Sequence, residues 1–362
     1  VIIYVSILLM FLLLTILNIF TMPRLKDQSD DESSRVSILI PMRNEEANAA
    51  GVIDSVLHTT YANKEIIILN DHSEDQTEEI LKTYGGKIKV IQGEKLPDQW
   101  VGKVFACHQL SKQATGEYYC FIDADVRLKP DAISKALHLL KKNDAGLVSG
   151  FPQFPTKTFM AKLLVPLQHF FIFFHLPNIV ANHSTKPAFT AAHGAFMLFD
   201  KNAYSASGGH HAVRHSLVED IHITRTLKQN GYRCILSNVT NSITCDMYET
   251  NREVWEGFTK NIFTGLGRSV PVASIVALFY ISFYFIPLPL FLNGVISGKW
   301  LLTLPLVIVF LQTFLIDIAT RQSKLHFLLM PISAIALVVL LFTAAIKGLN
   351  GSGYKWKGRI YQ

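Results

Sequence analysis

The chain has 362 residues, is 49% hydrophobic and carries a formal net charge of +6. Its mean hydropathy of +0.27 is too high for one soluble domain, so the position of the apolar excess decides the class. No lysine- and arginine-rich tract with interleaved aromatics occurs, which argues against a nucleic-acid partner; a membrane surface accounts for the basic balance more readily. Cys107, Cys120, Cys234 and Cys245 stand at no metal-ligand or Cys-x-x-Cys spacing, as expected of small buried thiols in a reducing compartment.

Residues 1–22 contain no charge and are long enough to span a bilayer. They lack the basic start and small-residue cleavage site of a secretory signal and read as an uncleaved anchor. Arg24 and Lys26 follow, which favours a cytoplasmic exit. Residues 23–35 read as a polar, acidic linker. Val36–Pro41 is a first strand, followed by a helix with apolar positions Ala49, Val52, Ile53, Val56 and Leu57. A second strand, Glu65–Asn70, leads into Asp71-His72-Ser73-Glu74-Asp75-Gln76. Ser73 with Gln76 fits a capping box, so a helix is expected from there to about Tyr84.

Further on, Ile88–Gln92 reads as a strand and Val104–Ala114 as a helix. Tyr118–Ile122 is a short apolar strand that stops at Asp123-Ala124-Asp125. Pro130 suits the first turn of a helix over Asp131–Lys141. Strands alternating with helices predict an α/β fold with a mostly parallel sheet and helices on both faces. In such sheets ligands gather at the carboxyl ends of the strands, where hard oxygen ligands suit a divalent ion that also holds a diphosphate. The alternative is a turn with two solvated acids. No Gly-x-Gly-x-x-Gly follows the first strand, so a dinucleotide loses ground.

The segment 159–181 is rich in Phe, Leu and Ile and is broken by Pro166 and Pro177. It reads as interrupted helices at a membrane interface, with His169 and His175 packed rather than ligating. His193-Gly194 enters another strand, and Glu219-Asp220 opens a helix that Asn230-Gly231 closes. Acids there also suit the helix dipole alone. Residues 269–347 hold about three long uncharged stretches, read as membrane segments, and 348–362 form a basic tail. Three crossings would put that tail on the side opposite the 36–268 domain. A re-entrant segment, or a break at Pro287 and Pro289, would not.

In order, Pro41-Met42-Arg43-Asn44-Glu45-Glu46, Asn70-Asp71, Gly102-Lys103, Asp123-Ala124-Asp125, Glu219-Asp220 and Trp255-Glu256-Gly257-Phe258-Thr259-Lys260 resemble the motifs of membrane-anchored family 2 glycosyltransferases of GT-A fold. Within that family the chain is most similar to bacterial carotenoid glucosyltransferases that act on 4,4'-diaponeurosporenoate. Enzymes with ceramide, hopanoid or diacylglycerol-type acceptors share the layout. Two departures stand out: His72 replaces the family's glycine, and the Gln-x-x-Arg-Trp motif of polymer synthases is missing.

The resemblance implies a UDP-sugar donor, a lipid acceptor and Mg²⁺ or Mn²⁺ as cofactor. It implies Asp123 and Asp125 as metal ligands. Pro41, Arg43, Glu45, Asp71, Lys103, Asp123, Trp255 and Lys260 would bind the nucleotide sugar, and His193 and Arg214 would flank the acceptor. Asp220 would be the general base with Glu219 beside it, in a multi-pass cell-membrane protein whose catalytic domain is cytoplasmic. A nucleotide-sugar-binding transporter or scaffold without turnover is the reading from another class. Apart from Asp317, few of the charged groups a transporter would carry in its spans are present.

Overall fold

The structure, a computed structural model, describes residues 1–26, 33–349, 354–356 and 359–361. Most of the linker (27–32) and the rest of the basic tail lie outside the described residues. The chain forms two compact units: Met22–Gln153 with Asn178–Asp246, and Val1–Thr21 with Phe154–Pro177 and Met247–Gln362.

The first unit is built on a seven-stranded sheet. Its strands are β1 (Val36–Met42), β2 (Lys64–Asn70), β3 (Lys89–Gln92), β4 (Tyr118–Ile122), β6 (Leu147–Phe151), β7 (Phe196–Asp200) and β8 (Cys234–Asn238), with β5 (Val126–Leu128) and β9 (Ile243–Cys245) forming a small second sheet. The order is β3-β2-β1-β4-β7-β6-β8. Pairing is parallel except that β7 runs antiparallel to both β4 and β6. The run Ile66–Leu69 is wholly buried, as expected of a strand covered on both faces. Pro41 is tolerated inside β1 because pairing with β4 stops at Leu39↔Phe121, so no ladder donor is missed there.

Three local expectations need correction. The helix after β2 spans Thr77–Thr83 with Gln76 as N-cap, and no capping box forms. Ser73 Oγ instead accepts from Asn44 N at 3.0 Å, and Asp75 Oδ1 accepts from Thr77 N at 3.0 Å. The Ser73 hydroxyl is consumed in tying the β2 end to the β1 end. Pro130 lies just outside its helix, which spans Ala132–Lys142 with Asp131 as N-cap. The start of the linker is not free either. The Pro23 carbonyl accepts from Asn238 N at 2.8 Å and from Ser237 Oγ at 3.0 Å, and Arg24 forms a parallel bridge with Asn238. The outer strand β8 has unpaired backbone groups on that side, and the chain covers them.

The second unit holds four helices long and apolar enough to cross a membrane: Ile2–Thr21, Val270–Ser297, Trp300–Ala319 and His326–Leu349. The second changes register through a π-helical turn, Ile281–Phe285, just before Pro287. The fixed φ and missing N–H of that proline explain the break in the ladder. Residues 159–183 form three short helices, Phe159–Leu164, Leu167–His175 and Asn178–His183, the last belonging to the first unit. In this unit Asn18 Nδ2 donates to the carbonyls of Phe173 and Leu176, and Gln312 Nε2 donates to Thr15 Oγ1 at 2.8 Å. Side-chain amides thus join apolar helices that the hydrophobic effect would not hold together in lipid.

Candidate active site

The carboxyl ends of β1, β2 and β4 lie side by side because these strands are parallel neighbours. The acids therefore collect at one edge. Asp71 N donates to the Met42 carbonyl at 2.8 Å, joining the β1 and β2 ends. Arg43 Nη1 donates to the Asp71 carbonyl at 2.6 Å and the His72 carbonyl at 3.2 Å. Glu45 N donates to Thr77 Oγ1, and Glu45 Oε2 accepts from Asn48 Nδ2.

His72 and Asn44 both adopt φ of +52°. His72 thus keeps the left-handed backbone that the family's glycine would take without cost. Left-handed geometry costs an L residue roughly 1–2 kcal/mol, and glycine's extra unfolded-chain freedom returns about 0.4–1 of it. His72→Gly should therefore raise thermal stability by up to ~1 kcal/mol, read as a higher melting midpoint. A lower midpoint would mean that the imidazole itself holds the turn.

The centre of the edge is an ion-pair cluster. Lys103, in the first turn of the helix Gly102–Gln113, places Nζ 2.8 Å from Asp123 Oδ1, 2.9 Å from Asp123 Oδ2 and 3.0 Å from Glu219 Oε1. A cation at a helix N-terminus is disfavoured by the dipole, so these carboxylates must hold it there. Burial opposes the charge on Lys103, but Asp123 and Glu219 override it and keep the ammonium well above its usual range. Burial likewise opposes ionisation of Glu219, and Lys103 outweighs it, leaving that carboxyl below its usual range.

Asp220 stands next to this cluster, in the first turn of the helix Glu219–Gln229. Its Oδ1 accepts from Ile221 N at 2.8 Å and its Oδ2 from Gly194 N at 3.0 Å. A Cβ on Gly194 would lie 3.1 Å from Lys103 Nζ, 3.6 Å from Glu219 Oε1 and 3.8 Å from Asp220 Oδ2. Only glycine lets the loop approach the cluster without pushing the lysine. Burial, then the neighbouring Glu219, pushes the Asp220 carboxyl up to about 7.

Asp125 is different. Its Oδ1 is buried and has no hydrogen-bond partner. Burial, then Asp123 and Glu45, pushes it up to about 7, despite a bond from the Cys245 thiol. A buried acceptor without a donor, beside other carboxylates, suits a hard cation. Among the described residues no group of three or more His, Cys, Asp or Glu is placed to hold a metal by protein ligands alone. The fit is thus to an ion carried by one or two carboxylates and completed by substrate phosphates and water, the habit of Mg²⁺.

The structure also places the remaining sequence candidates. The His193 ring packs on Phe151 at 4.9 Å, and its Nδ1 accepts from Ala195 N at 3.2 Å. The Arg214 carbonyl accepts from Val101 N at 2.8 Å, which sets Arg214 beside the start of the Lys103 helix. Pro41 lies in β1 next to Arg43 at the same edge. Trp255 and Lys260 lie on the helix Asn251–Gly265 of the other unit. Sequence reasoning missed Gly194, where a Cβ would press on Lys103 Nζ at 3.1 Å. It also missed the direct pairing of Lys103 with the acids, which has no local signal because the partners are distant along the chain.

Comparisons with known proteins bear on the family and the fold. The model of glycosyl transferase family 2 matches residues 37–208. The 4,4'-diaponeurosporenoate glycosyltransferase of Staphylococcus aureus (strain USA300) is 26% identical over 244 residues, 65% of this chain and 63% of that protein. Its counterpart in strain bovine RF122 / ET3-1 is 26% identical over 251 residues, 67% of this chain and 64% of that protein. The match thus spans somewhat under two thirds of these relatives' length. The mannosyltransferase PcManGT from Pyrobaculum calidifontis, solved in complex with GDP-Man and Mn²⁺, has a TM-score of 0.54 at 18% identity, covering 96% of this chain and 95% of that one; at that identity the likeness speaks to the fold. The chain therefore has a GT-A-like fold and carries a glycosyl transferase family 2 domain.

Proposed function

We propose that the protein is a multi-pass membrane glycosyltransferase that moves a hexose, glucose in the first instance, from a UDP-sugar to a lipid with inversion at the anomeric carbon. The acceptor we favour is the carboxylate of an apocarotenoid such as 4,4'-diaponeurosporenoate. The observation that carries this reading is the convergence of Asp123, Lys103, Glu219 and Asp220 at the carboxyl edge of the sheet, with Asp125, whose buried Oδ1 has no hydrogen-bond partner, in the same turn as Asp123. The carotenoid glycosyltransferases of similar sequence support the acceptor class. The apolar helices supply a reason for membrane residence, because such an acceptor partitions into lipid. Arg24 and Lys26, after the first apolar helix, favour a cytoplasmic catalytic domain.

In this reading the acceptor oxygen attacks the anomeric carbon, the bond from that carbon to the diphosphate breaks, and its electron pair leaves with UDP. Asp123 and Asp125 would hold Mg²⁺ or Mn²⁺, which when bound neutralises charge on the leaving diphosphate. Arg43, Glu45 and Asp71, with Pro41 beside them, line the uridine side. Lys103 stays protonated and offers a second positive charge toward the phosphates. His193 and Arg214 flank the acceptor. For an alcohol acceptor, Asp220 takes the hydroxyl proton as attack proceeds. A carboxylate acceptor has a pKa of about 4 and brings no proton at neutral pH, so Asp220 then serves only to orient the site.

A pH dependence follows. A carboxyl pushed up to about 7 is increasingly protonated below that pH and can no longer accept a proton. Transfer to an alcohol lipid is expected to fall more steeply than transfer to a carotenoid acid as pH drops through about 7. Protonation of Asp125, also pushed up to about 7, weakens the ion site for both acceptors, while loss of the base affects the alcohol alone. Parallel pH–rate profiles on the two acceptors check this, and superimposable profiles would contradict the role given to Asp220. The overall reading is tested by incubating membranes that hold the protein with a panel of UDP-sugars and extracted lipids. The expected product, seen by mass, is a glycosylated carotenoid acid. Products confined to ceramide or diacylglycerol would move the acceptor class, and unaltered lipids with every donor would oppose the enzyme reading.

A further inference from the structure

The turn Asp123-Ala124-Asp125 is held from several directions. Asp123 N donates to the Ala195 carbonyl at 3.3 Å, and the Asp125 carbonyl accepts from Asp246 N at 2.9 Å. The middle peptide has a different support. Arg127 Nη1 donates to the Ala124 carbonyl at 3.1 Å and to the Val126 carbonyl at 2.9 Å. Among the described residues no carboxylate pairs with this guanidinium, which is spent on main-chain oxygens of the acid turn. Arg127 is itself fixed in register, opposite Thr244 in the β5–β9 pair.

Its face rests on the helix Ala49–Leu57 at Gly51. A Cβ at Gly51 would fall 2.5 Å from Arg127 Nε, 2.5 Å from Nη2 and 2.6 Å from Cζ. No side chain fits there while the guanidinium stays. An alanine at this helical position would otherwise be favourable, by about 1 kcal/mol of helix propensity. Gly51 is therefore a gap kept for Arg127. The obstructing atoms are the end of a long flexible side chain, so an alanine would displace the guanidinium and leave the backbone fold in place.

We propose that Arg127, seated on Gly51, is a positioning residue that sets the spacing of the Asp123 and Asp125 carboxylates and so the affinity of the site for its divalent ion. The proposal rests on the reading of these two acids as metal ligands. Groups that orient metal ligands from behind typically contribute 10- to 100-fold in affinity.

The test is Mn²⁺ binding to purified protein in the presence of UDP, followed by loss of the free-ion electron paramagnetic resonance signal, with the melting midpoint measured on the same samples. Arg127→Ala and Gly51→Ala should each weaken Mn²⁺ binding about tenfold or more. Gly51→Ala should do so with an unchanged or higher midpoint, although it keeps the arginine's charge. The double variant should bind no more weakly than Arg127→Ala, because both changes remove one device. Arg127→Lys should recover part of the affinity through a single remaining donor. Wild-type affinity in Gly51→Ala, or losses that multiply in the double variant, would overturn the proposal. Wild-type protein that takes up no Mn²⁺ would overturn the metal reading of the acids, and the proposal with it. These two failures are told apart by the wild-type control.

Discussion

Asp220→Asn is expected to lower transfer to an alcohol lipid by about 10²–10⁴-fold and transfer to a carotenoid acid by far less. The base term disappears in both cases, but only the alcohol has a proton to lose at neutral pH. Geometry adds a complication that the experiment must allow for. Both Asp220 oxygens accept backbone N–H groups, from Ile221 and from Gly194. An asparagine must turn its NH₂ toward one of these donors, so either Gly194 N or Ile221 N loses its acceptor, which typically costs about 1–3 kcal/mol when a buried group is left unmatched. That loss affects both acceptors alike. The informative quantity is therefore the ratio of the two rates, measured with donor binding checked separately. An equal loss on both acceptors with donor binding intact would remove Asp220 as the base.

Asp125→Asn should show the opposite pattern: a loss of about 10²–10³-fold in turnover that is the same for every acceptor, together with loss of Mn²⁺ binding. In the proposed reading the residue would hold the ion on the leaving diphosphate, which is common to all transfers. The ligand-free protein should meanwhile become no less stable, and up to about 1–3 kcal/mol more stable. Burial and the like charges of Asp123 and Glu45 oppose the Asp125 carboxylate, and its Oδ1 has no donor. Removing the charge relieves the burial cost and the repulsion, and a neutral amide left unmatched there costs less than a carboxylate. A site that is costly to the empty protein and required by the loaded one is the expected trade of stability for function. Retained turnover with a melting midpoint below that of the wild type would show Asp125 to be structural.

Much of the first unit could be read from the chain because its signals are local. Apolar runs bounded by polar turns gave β1, β2 and β4, and the acids that follow β2 and β4 had to fall at one sheet edge once those strands were parallel neighbours. What escaped was set by contacts far apart in sequence. The antiparallel insertion of β7 between β4 and β6 has no periodicity of its own, since an apolar strand reads the same in either direction. β5 and β9 are three-residue strands and leave almost no pattern. Ser73 with Gln76 satisfied the capping-box template, yet the hydroxyl was taken by Asn44 N from the neighbouring strand end, an override no local rule anticipates. The pairing of Lys103 with Asp123 and Glu219 leaves no local trace, because those partners lie far along the chain. Gly51 carries no local signal either, because the guanidinium that rests on it comes from Arg127, far along the chain.

The most direct test of the account is UDP release from UDP-glucose by purified protein, measured with and without Mn²⁺ and with and without a carotenoid acid. The account predicts UDP, matched by glycosylated lipid, only when ion and acceptor are both present. UDP-glucose that binds at the acid edge and is recovered intact under all four conditions would contradict it.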